Sequence, residues 1–62
     1  MSPKRYKIII EHQTDSYEFL VQDNLILRIT KFVGDSGLDR EVKFDHVPEQ
    51  VKRDFDHQFN QQ

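Results

Sequence analysis

Apolar and polar positions along this chain change period once. Residues 6–12 read Y-K-I-I-I-E-H, β-branched in the middle and polar towards both ends, which predicts a strand. Thr14 and Asp15 are a turn signal, and residues 17–22, Y-E-F-L-V-Q, predict a second strand. Asp23 and Asn24 then separate it from a third, residues 25–33, L-I-L-R-I-T-K-F-V. Both separating residue types accept the positive φ of a tight hairpin turn. Gly34-Asp35-Ser36-Gly37 reads as a loop, and residues 40–46 alternate around Val42 and Phe44 as a fourth strand. The period then becomes helical: Val47, Val51, Phe55 and Phe59 recur every four residues and form one stripe. Pro48 suits a first helical position, and Glu49 beside it favours the positive helix end. A helix is therefore predicted over 48–60, with Asn60-Gln61-Gln62 as its fraying end. The expected fold is α+β and mainly β, a four-stranded antiparallel meander with one C-terminal α-helix, forming a single small domain over 1–62.

Hairpin registers assign faces, because side chains directly opposite one another share a face. A turn at Thr14 and Asp15 sets Ile10 against Phe19, Ile8 against Val21 and, unfavourably, Glu11 against Glu18. A turn at Asp23 and Asn24 sets Val21 against Ile26, Leu20 against Leu27 and Phe19 against Arg28. One face then carries Tyr6, Ile8, Ile10, Tyr17, Phe19, Val21, Ile26 and Phe32, and the helical stripe is its natural cover. The other face carries Lys7, Glu11, Glu18, Gln22 and Lys31, but also a row of Ile9, Leu20 and Leu27 flanked by Leu25 and Ile29. One short helix cannot cover both faces. Either the sheet curls into an SH3-like, barrel-like closure over that row, or the row is an interface.

Composition sharpens the question. Apolar residues are 35% of only 62, so nearly all must be buried for the chain to fold alone, and burial against a second copy is an alternative. Alanine is absent, while Val, Ile, Phe and Tyr dominate the apolar set, which favours strands. Zero cysteines exclude a disulfide framework, a thiolate metal site and a cysteine nucleophile. No signal-peptide core or membrane-length apolar run follows the basic start Lys4-Arg5, and a cytoplasmic location is the expectation.

Candidate chemistry is sparse. Three histidines each follow an acid, at Glu11-His12, Asp45-His46 and Asp56-His57. Adjacent strand residues point to opposite faces, so an acid–histidine pair on a strand cannot chelate one ion together, and no metal site is expected. The acids of residues 35–41 lack calcium-loop spacing. Two glycines cannot build a phosphate loop, and none of the three serines lies in a nucleophile elbow, so no enzymatic role and no cofactor are expected. The order of sheet and terminal helix resembles chromodomains and the small SH3-like archaeal chromatin proteins in architecture and length. The former's aromatic cage for methyl-lysine has no tryptophan here, and the latter's lysine-rich surface is missing, so no functional residue carries over.

The function expected from these features is protein interaction, as a small regulatory protein acting through the apolar sheet face, with a protein partner or a second copy in a homodimer. Ile9, Leu20, Leu25, Leu27 and Ile29 are its candidate contacts, with Lys7, Glu18 and Lys31 as polar rim. The alternative is a single-stranded nucleic-acid-binding small barrel using Lys4, Arg5, Lys7, Arg28 and Lys31 around Tyr6 and Phe32. A net charge of -2 weighs against it.

Overall fold

The computed structural model describes residues 4–61. Four strands, β1 (Arg5–His12), β2 (Asp15–Gln22), β3 (Leu25–Val33) and β4 (Asp39–Val42), form one antiparallel sheet in the order β1-β2-β3-β4. A single 3-10 turn at Phe44–His46 leads to α1 (Glu49–Phe59). The meander and terminal helix agree with the sequence expectation. Residues 44–46, read as the end of the fourth strand, belong instead to the 3-10 turn, and Pro48 is the residue before the helix rather than its first. Met1, Ser2, Pro3 and Gln62 of the expected 1–62 unit lie outside the described residues.

Both tight hairpins turn through residues of positive φ. Asp23 and Asn24 have φ of 54° and 65°, so both residues of the second turn occupy the region their short polar side chains tolerate. The first turn is Gln13 and Thr14, one residue earlier than expected, with Gln13 at φ 57° and His12 opposite Asp15. The register therefore moves by two residues, which preserves the faces. Ile8 now lies opposite Phe19 and Ile10 opposite Tyr17, and Glu11 faces Ser16 rather than Glu18. The like-charge opposition disappears.

The second hairpin departs further. Val21 pairs with Ile26, but Leu20 pairs with Arg28, so Leu27 is an extra residue in β3. This β-bulge turns the rest of the strand over, as a one-residue slip must. Ile29 becomes the partner of Phe19 on the helix-covered face and is buried; Phe32, expected there, lies opposite Ser16 on the other face. Lys31 moves the opposite way, to stand 5.9 Å from the centre of the Tyr17 ring and 3.6 Å from Asp15.

The core lies between the sheet and α1, which packs chiefly on β1. Ile8, Ile10, Tyr17, Phe19, Val21 and Ile29 from the sheet meet Val47, Val51 and Phe55, with Tyr6, Val42 and Phe59 at the margin. The helical stripe thus does what its four-residue spacing predicts. Phe55 stacks on Phe19 at 4.2 Å between ring centres, and Phe59 leans on Phe55 at 5.4 Å. Rings in such offset contacts add to their area burial. No buried polar or charged residue occurs among the described residues.

Candidate interaction surfaces

The strand registers lay out the uncovered face as a grid. Along β1 run Arg5, Lys7, Ile9 and Glu11; beside them on β2 lie Gln22, Leu20, Glu18 and Ser16. On β3 the corresponding residues are Leu25, Arg28, Thr30 and Phe32, with Leu27 added at the bulge, and on β4 Glu41 and Asp39. Strand alternation explains why these side chains leave the core: each neighbours an inward residue along its own strand.

Apolar side chains run diagonally across the grid. Ile9 is 58% exposed, Leu27 49% and Leu25 66%, and half-buried Leu20 lies between Ile9 and the β3 residues. A barrel-like closure does not cover them: β1 and β4 are not hydrogen-bonded neighbours, so the sheet has two edges. Ile29, expected in this row, is only 3% exposed on the opposite face, because the bulge inverts the strand between Leu27 and Ile29. Phe32, 38% exposed, takes a place on the outer face near Ser16 and Asp39, away from the diagonal. The residue pattern does not mark this bulge: Leu25-Ile26-Leu27 is an apolar triplet, but so is Ile8-Ile9-Ile10 in the regular strand β1.

Charged residues frame the diagonal. Lys7 lies 3.5 Å from Glu18, Arg28 lies 3.7 Å from Glu41, and the Arg5 Nε donates to Gln22 Oε1 at 2.9 Å. Such exposed pairs contribute little to stability. Of the five basic residues considered for nucleic acid, Arg5, Lys7 and Arg28 share this face. Lys31 lies on the other face, and Lys4 is exposed just before β1.

Grooves among the described residues flank the sheet. One of about 390 Å³ runs between β1 and the second half of α1, lined by Ile9, Ile10, Glu11, Asp54, His57 and Gln58. Another, about 260 Å³, lies where β3 extends past the end of β4 and includes Ile26, Leu27, Val42 and Phe44. Ile26 faces the helix side but is 36% exposed, since α1 packs chiefly at β1 and does not cover this end of the hairpin. Among the described residues, no three His, Asp or Glu side chains converge as a metal site, and no helix is long and apolar enough to cross a membrane. Compared with protein-family models, with curated proteins and with solved structures, the chain matches none.

Proposed function

We propose that this chain is a small non-enzymatic regulator that binds another protein through the outer face of its sheet. Ile9, Leu20, Leu25 and Leu27 supply the apolar contact, and Lys7, Glu18 and Arg28 form its polar rim. The observation that carries the proposal is that one helix covers one face of an open sheet. The other face keeps a diagonal of large aliphatic side chains in water. Exposed apolar side chains ringed by charge are the anatomy of an interface: a desolvating centre and a solvated rim.

The test is site-directed photo-crosslinking in cells producing the full chain, with the photoreactive residue at position 27 and a control at exposed Asp56. A protein crosslinked from 27 and not from 56 is then purified and titrated. The double variant Leu25→Ser, Leu27→Ser is expected to weaken that binding by about tenfold or more while the circular dichroism spectrum is unchanged. Equal crosslinking from both positions, or unchanged affinity of the double variant, overturns the proposal.

A second reading has one observation in its favour: Arg5, Lys7 and Arg28 share the outer face with Phe32. Single-stranded nucleic acid would use such a mixture of cations and an aromatic ring. Each of the three cations already has an acid or amide partner, and Lys31 is on the wrong side, so protein binding is the better-supported role. Titration with single-stranded DNA and RNA at low salt decides it, because counterion release makes that condition the most favourable. Absence of binding there removes this alternative.

A further inference from the structure

The two edges of the sheet differ. β4 is a four-residue strand, whereas β1 offers eight residues with three consecutive isoleucines, no proline and an unbroken register with β2. A long regular edge is a template for another strand unless something guards it. The first hairpin determines which backbone groups stand ready. A two-residue turn closes on a mutually hydrogen-bonded pair, here His12 and Asp15. Antiparallel bonding then alternates, so Ile10, Ile8 and Tyr6 bond to β2, while Arg5, Lys7, Ile9 and Glu11 present N–H and C=O at the open edge. Helix α1 packs chiefly on β1, and a groove bordered by Ile9, Ile10, Glu11 and Asp54 runs between its second half and this strand.

We propose that β1 pairs antiparallel with β1 of a second copy, around a two-fold axis at Ile9. The sequence Y-K-I-I-I-E-H is self-complementary when laid against its own reverse. Ile9 meets the other Ile9, Lys7 meets Glu11 of the second copy, Glu11 meets its Lys7, and Ile8 meets Ile10. All outward-facing N–H and C=O groups from Lys7 to Glu11 are then bonded. Centring the axis on Ile8 puts Lys7 against an isoleucine, and centring it on Ile10 puts Glu11 against one. A shift by a single residue of pairing sets outward-facing groups against inward-facing ones and forms no ladder. The Ile8 register also forms a full ladder and pairs Glu11 with Arg5, but only the Ile9 register gives both Lys7 and Glu11 an opposite charge. Opposite charges directly across a strand pair stabilise it, and like charges oppose it. The product is a continuous eight-stranded sheet with both helices on one face and a joined apolar diagonal on the other. The proposal uses the edge of the sheet rather than its face, so it stands or falls independently of partner binding through Leu25 and Leu27.

Molar mass in solution, from low to high micromolar concentration, should rise from monomer to dimer. Amide exchange at the same concentrations should show Lys7, Ile9 and Glu11 becoming protected as dimer forms, with Tyr6, Ile8 and Ile10 protected throughout. Lys7→Glu and Glu11→Lys should each weaken self-association by about tenfold or more, and salt should weaken the wild-type dimer. Mixing the two variants should restore a heterodimer. The first then carries an acid at both positions 7 and 11 and the second a base at both, so every charge across the strand pair meets its opposite. A wild-type monomer at high micromolar concentration overturns the proposal. So does a dimer in which the Lys7, Ile9 and Glu11 amides still exchange freely, or one unaffected by either charge reversal. If a variant does not fold, the wild-type exchange pattern alone decides.

Discussion

Gly34 stands where no side chain fits. Val33 pairs with Asp15 at the end of the sheet, which brings the next residue against the first turn, and a Cβ at Gly34 would run into the carbonyl oxygen of Thr14. Backbone cannot swing aside as a side chain can, so Gly34→Ala should lose about 2 kcal/mol of stability in a denaturant titration. Gly37 is the useful contrast: its φ is +68° with open space around it, so Gly37→Ala should lose only about 1 kcal/mol, from the left-handed backbone alone. A larger loss at Gly37 than at Gly34 would contradict the close approach. At this scale the sequence was partly legible. Asp23 and Asn24 announce positive φ through their side chains, whereas Gln13 does not, and Asp15, which looks like a turn residue, is held in the sheet beside Lys31.

Among the elements, β3 decides which residues are core and which are surface. Periodicity identified all four strands and the helix, because alternation and a four-residue stripe are properties of contiguous sequence. It could not place Ile29 and Phe32, since one unpaired residue upstream exchanges their faces without altering either neighbourhood. The outer-face contacts Ile9, Leu20, Leu25 and Leu27 were legible because they lie on or before the bulge; Ile29 was not, because it lies after it. The bulge makes a deletion experiment decisive. Removing Leu27 leaves Val21 opposite Ile26 and Leu20 opposite Arg28 in a regular ladder, so this variant should fold, with Ile29 still against Phe19 and a cooperative thermal transition. Removing Thr30 turns over every residue after Ile29 and should abolish that transition. Unfolding of the Leu27 deletion, with the Thr30 deletion tolerated, would refute this register.

Over the whole molecule, cover is unequal. The described chain measures 40 × 20 × 17 Å, and its one helix packs chiefly on β1, so β4 and the far part of β3 are held mainly through the ladder. The aliphatic diagonal lies on the face opposite the helix, whereas the open edge of β1 belongs to the strand on which the helix packs.

The placement of α1 against β1 has a kinetic consequence. β2 meets β1 and β3 across two-residue turns, but Ile8 and Ile10 share a core with Val51 and Phe55 only after the chain has closed from end to end. Local pairing precedes distant docking, because loop-closure entropy must be met before a non-local contact forms. Weakening the second turn by Asn24→Ala should therefore slow refolding and leave unfolding nearly unchanged. Val51→Ala, costing on the order of 2 kcal/mol, should instead accelerate unfolding roughly thirtyfold with little effect on refolding. The two arms of a chevron plot separate these outcomes, and a refolding rate governed by Val51 would show that the helix docks first. The last-formed contact is then also the first to open, so the lifetime of the native state is set at the helix–β1 seam.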